Sequence, residues 1–166
     1  MIPVSPESPA NLPLSPAVPE PERPSGGAVS VGIVLVSHSR ALAEAAMDLA
    51  RRLIVAVDVP VELAAGLADG GLGTDPGSVV EAVERLAERC EGVLVLADLG
   101  SGVMSAEMAL EMLDPALAER TRLSAAPFVE GLLGAYGTAG IGKDLQAVAA
   151  EADGAAEAKR SQVAAF

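Results

Sequence analysis

The chain has 166 residues, 51% of them apolar and 20% charged, which predicts a single folded domain with or without a tail. Its formal net charge of −12 argues against general nucleic-acid binding, because affinity for the phosphate backbone requires a basic surface. No apolar run approaches the roughly 18–20 residues that span a bilayer, so membrane insertion is not expected. The single cysteine, Cys90, and the single histidine, His38, exclude an internal disulfide and a metal site built from several such residues.

Residues 1–28 differ in composition from the rest of the chain. They hold eight of the 12 prolines and have almost no hydrophobic periodicity. This predicts a disordered leader with polyproline character, and its Pro-x-x-Pro spacing leaves a docking role open as an alternative. The segment lacks the basic start and continuous apolar stretch of a secretory signal. Together with the lone cysteine, which is typical of a reducing compartment, this predicts a cytoplasmic protein.

From residue 29 onward, strand-like and helix-like patterns alternate. A continuous apolar run predicts a buried strand at 31–36, and the spacing of Leu42, Ala45, Ala46, Leu49 and Leu53 predicts a helix over 41–54. Asp75 and Pro76 supply an N-cap and a first-turn proline for a later helix. The remaining predicted elements are a strand at 59–64, a helix at 76–89, a strand at 92–97, a helix at 103–113, a strand at 121–124, a helix opened by Pro127 and a helix at 143–152.

This alternation predicts a single-domain, doubly wound α/β fold with a mainly parallel sheet over residues 29–153. Residues 154–166 are expected to form a flexible C-terminal tail. In such sheets, ligands bind at the carboxyl ends of the strands, where the strand order reverses.

Two turns have the residues suited to that place. Ser37, His38 and Ser39 follow the first predicted strand, and a segment starting at Asp98 follows the third. Both turns should lie at the same sheet edge, which places His38 beside Asp98. An imidazole there is a nucleophile, and a carboxylate beside it fixes its tautomer. The sequence therefore predicts transient phosphorylation of His38.

Small and hydroxyl-bearing residues in the same turns predict a phosphate-binding surface without a metal, because free backbone N–H groups at a helix start hold phosphate oxygens. The candidate phosphate-binding residues are Ser37, Ser39, Gly100, Ser101 and Gly102. Other interpretations stay open: His38 as a helix-start residue without chemistry, Asp98 as an N-cap, or a hydrolase with Ser101 or Ser39 as nucleophile and His38 as base. A non-catalytic module that senses phosphorylation is a further alternative.

Several spaced motifs in this order resemble the mannose-type enzyme IIA family of the sugar phosphotransferase system, and within it the phosphotransfer subunits of phosphoenolpyruvate-dependent dihydroxyacetone kinases (DhaM-type subunits). The resemblance covers residues 29–150. It rests on the segments 34–39 (VLVSHS), 73–76 (GTDP), 97–104 (ADLGSGVM), 107–109 (EMA) and 124–131 (SAAPFVEG).

The resemblance implies that His38 accepts phosphate from the carrier protein HPr and that Asp98 lies beside it. It further implies that the phosphate passes to ADP on the DhaL subunit, which with DhaK phosphorylates dihydroxyacetone. The nucleotide and magnesium then belong to DhaL, no cofactor is expected on this chain, and the chain is expected to form a homodimer. Met104 and Ser105 replace the Ser-Pro pair of many mannose-type members, which favours a dihydroxyacetone system over a sugar-transport IIA component, the remaining alternative.

Overall fold

A computed structural model of the chain describes residues 29–165. The predicted leader, 1–28, and the last residue, Phe166, lie outside the described residues. Strands and helices alternate along the described part as the sequence predicts. They are β1 (Val29–Ser37), α1 (Arg40–Leu53), β2 (Val61–Ala65), α2 (Pro76–Ala87), β3 (Cys90–Ala97), α3 (Gly100–Met112), α4 (Pro115–Ala118), β4 (Thr121–Ser124), α5 (Phe128–Gly140) and α6 (Leu145–Ala164).

The four strands of this range form one all-parallel sheet in the order β2-β1-β3-β4. β1 and β3 are its central pair, with Val34 opposite Val95. From β1 the chain moves outward to β2 and then returns to the other side of β1, so the strand order reverses between β1 and β3. The predicted α/β fold is confirmed, and the switch point at which such sheets bind ligands lies between the first and third strands.

Helices cover both faces of the sheet. Alternate residues of β1 and β3 point to opposite faces, and both sets are buried over 31–37 and 92–97, which explains the continuous apolar runs in the sequence. Ile33, Leu35, Leu94 and Leu96 pack with residues of α1, α5 and α6, whereas Val34, Val36, Val93 and Val95 pack with residues of α2 and α3.

Helix α1 buries a different face from the one its leucines suggest. Of the five apolar residues that predicted the helix, only Ala46 is buried, and Leu42, Leu49 and Leu53 are exposed. The buried residues are Ala43, Ala46, Met47 and Ala50. Three of these four are alanines, whose small side chains let the helix lie close to the sheet.

The structure also differs from the sequence prediction around β3 and α3. Helix α3 begins at Gly100, so the glycines of this segment form its first turn and not a preceding loop. A short helix, α4, follows it with Asp114 as N-cap. Cys90, which directly follows the helix predicted over 76–89, is the first residue of β3, where it pairs with Val29 and is buried.

The last helix is twice as long as predicted, and the predicted tail over 154–166 is wrong in its described part. Residues 154–164 continue α6, since this stretch is rich in alanine and contains only one glycine, Gly154. Leu145 lies against Gly92 near the start of β3, whereas the Asp153 carboxylate accepts a hydrogen bond from Ser124, the last residue of β4. The helix therefore runs in the direction of the strands, and residues 154–164 extend about 16 Å past their carboxyl ends.

Within residues 29–165, no helix combines the length and the apolar character needed to cross a membrane.

Candidate functional site

Two strand-to-helix turns meet at the carboxyl ends of the central strands. β1 leads into α1 through His38 and Ser39, and β3 leads into α3 through Asp98 and Leu99. Because β1 and β3 are adjacent and parallel, the two turns lie side by side. His38 Nδ1 is 2.9 Å from Asp98 Oδ1, the contact that the sequence predicted.

The Asp98 carboxylate is the polar centre of the site. Its Oδ2 accepts hydrogen bonds from the His38 backbone N–H and the Ser37 hydroxyl, each at 2.9 Å, and its Oδ1 accepts one from the Leu99 N–H at 2.7 Å. The side chain is only 5% exposed. Burial raises the pKa of Asp98, but the hydrogen bonds from His38 and Ser37 outweigh burial and hold the pKa below its usual value. The group is therefore a carboxylate at neutral pH.

This charge determines the tautomer of His38. An ionised carboxylate only accepts hydrogen bonds, so the ring proton lies on Nδ1. Nε2 then carries the free electron pair, and it accepts a hydrogen bond from the Ser101 hydroxyl at 2.6 Å. The His38 side chain is 24% exposed, so a reactant can approach this nitrogen from solvent.

The N-terminus of α3 faces the imidazole. Its N-cap is Leu99, and no side chain among the described residues caps it, so backbone N–H groups of its first turn are available to an anion. Gly102 lies in this turn, and a Cβ added there would come 3.1 Å from Asp98 Oδ1 and 3.8 Å from His38 Cε1. The glycine thus allows the helix to approach both side chains closely.

The structure separates the predicted phosphate-binding residues into two groups. Gly100, Ser101 and Gly102 lie in the first turn of α3, next to the imidazole. Ser37 is fully buried with its hydroxyl on Asp98, and the Ser39 hydroxyl caps α1 by accepting the Leu42 N–H at 3.3 Å. These positions favour α3, and not the two serines of the first turn, as the surface for a phosphate.

The loop between β2 and α2, residues 66–75, is a part of the site that the sequence did not predict: Asp75 was expected only as a helix N-cap, and residues 73–76 contributed only to the family resemblance. The Gly66 N–H donates to the Ser37 carbonyl at 3.0 Å, and the Gly73 N–H donates to the His38 carbonyl at 2.9 Å. Gly66 has φ +71°, a conformation that favours glycine. Dense glycine in this loop was the available signal, but it does not show which carbonyls the loop would bind.

Exposed apolar side chains border the site on the segments that build it. They lie at the starts of α1 and α3 and in the 66–75 loop, and they are between 41% and 77% exposed: Leu42, Leu67, Leu72, Leu99 and Met104. Exposed apolar residues around a polar centre are typical of a surface that contacts another protein. We call this set the apolar rim.

Among residues 29–165, no group of three or more histidine, cysteine, aspartate or glutamate side chains is arranged to hold a metal ion.

Comparison with known proteins places this site in a family. Residues 32–149 match the EIIA-man family, the fructose IIA component of the phosphotransferase system (PTS). The chain belongs to this family. The matched EIIA-man range contains both turns of the site, the 66–75 loop and the whole sheet from Gly32 of β1 onward.

Curated relatives of this EIIA-man chain carry a more specific name. A protein of Klebsiella michiganensis, named "PEP-dependent dihydroxyacetone kinase, phosphoryl donor subunit DhaM", is 44% identical over 135 residues. The match covers 80% of this chain but only 28% of that relative's length. A Listeria innocua protein, named as the corresponding subunit of a dihydroxyacetone kinase 2, is 36% identical over 101 residues, which cover 61% of this chain and 79% of the relative.

A solved structure has the same fold. The crystal structure of EF1359, described as a protein of unknown function, superposes with a TM-score of 0.68 at 32% sequence identity. The superposition covers 75% of this chain and 93% of EF1359.

Proposed function

We propose that this chain is a phosphocarrier in which Nε2 of His38 accepts a phosphoryl group and passes it on. One observation carries the proposal: Asp98 accepts the Nδ1 proton in a hydrogen bond, which leaves Nε2 unprotonated beside the N-terminus of α3. The proposed donor is a phosphohistidine of HPr, and the proposed acceptor is ADP bound to a DhaL subunit. DhaK and DhaL then use the ATP to phosphorylate dihydroxyacetone.

The electron balance of the transfer requires no proton to leave His38. The Nε2 electron pair forms a bond to phosphorus while the P–N bond of the donor breaks, and the donor imidazole keeps that electron pair. His38 retains its Nδ1 proton, so its phosphorylated ring gains positive charge that the Asp98 carboxylate stabilises. In the second step a terminal phosphate oxygen of ADP attacks phosphorus, and Nε2 recovers its electron pair.

The first turn of α3 supplies the stabilisation that phosphoryl transfer needs. Transfer depends mainly on positioning and on neutralising charge at the phosphoryl oxygens. The N–H groups of this turn and the positive end of the helix dipole act on those oxygens. The Ser101 hydroxyl, which donates to Nε2 in the unphosphorylated chain, can turn to donate to the incoming group.

The surroundings of His38 suit exchange between proteins. The histidine is partly exposed, and the apolar rim lies on the segments that form the site, where a partner protein can cover it. This supports HPr and DhaL as successive partners on one surface. Homodimer formation and a cytoplasmic location are also proposed, on the family resemblance and the sequence composition alone.

The names of the curated relatives support a dihydroxyacetone system in preference to a sugar transporter. The pair Met104-Ser105, where many sugar-transport members have Ser-Pro, agrees with this choice. A mannose-type sugar-transport component is the alternative within the same chemistry, and the identity of the acceptor separates the two.

The decisive experiment is intact-mass analysis after incubation with phosphoenolpyruvate, enzyme I and HPr. Wild-type protein should gain one acid-labile phosphate, and His38→Ala should gain none while keeping a native circular dichroism spectrum. Adding DhaL with ADP should then remove the phosphate and produce ATP. If wild-type protein gains no phosphate while the same carriers phosphorylate another acceptor, the phosphocarrier proposal is wrong.

One observation favours a second candidate. Ser101 Oγ, His38 and Asp98 are linked in the order of a Ser-His-Asp triad, at 2.6 Å and 2.9 Å. A hydrolase would therefore use Ser101 as nucleophile and the α3 N–H groups for the oxyanion. In the phosphocarrier, Ser101→Ala slows phosphate uptake without abolishing it, and wild-type protein does not hydrolyse p-nitrophenyl acetate above the buffer rate. Ester hydrolysis that Ser101→Ala abolishes would favour the hydrolase.

A further inference from the structure

The 66–75 loop connects the two turns of the site through a side-chain contact of Thr74. Thr74 Oγ1 lies 2.8 Å from Ser105 Oγ of α3, within hydrogen-bond distance. The residue before it, Gly73, donates its backbone N–H to the His38 carbonyl at 2.9 Å. Two adjacent residues of one loop thus bind the histidine turn on one side and helix α3 on the other.

Ser105 is well placed to control the start of α3. It follows Ser101 by four residues, which is about one helical turn, so the two hydroxyls lie on the same face of the helix. Ser101 is exposed and bonds to His38 Nε2, whereas Ser105 is only 8% exposed. The contacts therefore form a closed ring. It runs from the His38 carbonyl through Gly73 and Thr74 of the loop to Ser105, along one turn of α3 to Ser101, and back to the His38 imidazole.

The first turn of α3 needs such a support. Ser101 lies between Gly100 and Gly102, the residue type that restricts the backbone least. No side chain of the described range caps this helix end. Asp98 fixes the imidazole through Nδ1, but it precedes the helix and makes no hydrogen bond to Ser101 among residues 29–165. Asp98 therefore orients the ring and contacts the N-cap of α3, but it does not bind Ser101.

We propose that Thr74 is a positioning residue for phosphoryl transfer. Its bond with Ser105 holds the first turn of α3 at the distance from His38 that places Ser101 and the helix N–H groups on the phosphoryl group. The kinetic consequence rests on the proposed phosphocarrier function, whereas the geometric consequence, the contact between Ser101 and Nε2, does not. Thr74 acts through Ser105 and need not touch the phosphate.

The kinetic test compares three variants with wild-type protein in phosphate uptake from phospho-HPr. Thr74→Val keeps the shape of the side chain but removes the hydroxyl, and it should lower kcat about tenfold with little change in KM, as expected when a reactive geometry is loosened by a fraction of an ångström. Thr74→Ser restores the hydroxyl and should restore kcat. Thr138→Val is the matched control. Thr138 lies in the last turn of α5, which packs against Ile54 and Val57 before the start of β2 and not against the site.

A second readout needs no phosphoryl donor. The 15N chemical shift of His38 Nε2 reports its hydrogen bond with Ser101, and Ser101→Ala gives the value for the broken contact. In Thr74→Val this shift should move toward the Ser101→Ala value, whereas Thr74→Ser and Thr138→Val should stay at the wild-type value. If wild-type protein accepts no phosphate, the phosphocarrier function fails, and the shift still decides the role of Thr74.

Thermal unfolding distinguishes positioning from general stability. If Thr74→Val does not fold, Ser105→Ala removes the same bond from the α3 side and replaces it in both readouts. The inference is overturned if the folded variant without the Thr74–Ser105 bond keeps wild-type kcat and the wild-type Nε2 shift. It is also overturned if Thr74→Ser is as impaired as Thr74→Val.

Discussion

At the scale of single residues, the site is organised around the Asp98 carboxylate, which binds both the backbone and the imidazole ring of His38. Asp98 accepts hydrogen bonds from the ring and backbone of His38, from the Ser37 hydroxyl and from the Leu99 N–H. The same contacts that set the histidine tautomer therefore also fasten the β1 turn to the β3 turn. Asp98 therefore supports the local structure, and it is also the side chain on which the proposed transfer depends.

Asp98→Asn tests this double role. The amide brings its own N–H donors toward the donors of His38 and Ser37, and leaving such buried groups unpaired costs about 1–3 kcal/mol. We expect a lower free energy of unfolding by this amount, together with a marked loss of phosphate uptake. Urea denaturation measures the first effect, and phosphate uptake measures the second.

The lowered pKa of Asp98 also predicts how the stability difference between wild-type protein and Asp98→Asn depends on pH. The native pKa of Asp98 lies below the usual value of 3.8, so the carboxylate stabilises the folded chain fully above 3.8. This contribution disappears as the pH falls through the native pKa. Below about pH 5, the difference in free energy of unfolding between wild-type protein and Asp98→Asn should shrink as the Asp98 carboxylate becomes protonated. A difference that grows as the pH falls from 5 to below 3.8 would contradict this assignment.

The contact between His38 and Asp98 could be predicted from the sequence, but the contacts of Ser37 and Thr74 that support it could not. A histidine and an aspartate that follow parallel strands must meet at the strand ends, so the pair His38–Asp98 follows from topology. The Ser37 hydroxyl could point to the phosphate or to the carboxylate from the same sequence position. The Thr74–Ser105 contact depends on the path of a glycine-rich loop, for which the sequence contains no periodic signal.

At the scale of elements, helix positions were easier to predict than helix faces and ends. In α1 the leucines indicated a helix correctly, yet alanines provide most of its buried face, because close packing on the sheet favours small side chains. In α6 the apolar pattern ends near Ala152, while the helix continues to Ala164. After Ala152, α6 is stabilised by the helix propensity of its residues and by contacts with α5, including the ion pair Lys159–Glu130.

Replacing a glycine by alanine should change the stability of the fold in opposite directions at Gly131 of α5 and Gly154 of α6. In α5, a Cβ on Gly131 would come 2.5 Å from the Ala126 Cβ, so Gly131→Ala should destabilise the fold by about 1–3 kcal/mol through overpacking. In α6, no described atom lies within 4 Å of a Cβ on Gly154, so Gly154→Ala should stabilise it by about 0.5–1 kcal/mol through helix propensity. Chemical denaturation of both variants measures the difference, and equal effects would contradict the packing described for α5.

At the scale of the whole molecule, the fold class was the most predictable feature. Alternating buried strands and long helices permit few arrangements, and parallel strands with crossover helices follow directly. The net charge of −12 is a second property of the whole chain, and it acts on partners at a distance. It favours approach of a protein whose docking face is basic.

Ionic strength should therefore affect the association step of phosphoryl transfer. We expect kcat/KM for phosphate uptake from phospho-HPr to fall as NaCl rises from 50 to 500 mM, because salt screens long-range attraction. The limiting kcat should change little, since the chemistry takes place within contact distance. A kcat/KM that is independent of salt would show that the acidic surface plays no part in capturing the donor.

The order of the chain gives the parallel sheet a consequence for biosynthesis. His38 precedes Asp98 by 60 residues and Ser101 by 63, so a growing polypeptide contains the histidine long before the groups that orient it. Those groups arrive only when β3 has been made and has paired with β1. An incomplete or unfolded chain carries a histidine with neither a fixed tautomer nor a helix end to receive phosphate. Under the proposed phosphocarrier function, only a chain that has formed the centre of its sheet could therefore accept phosphate from a carrier.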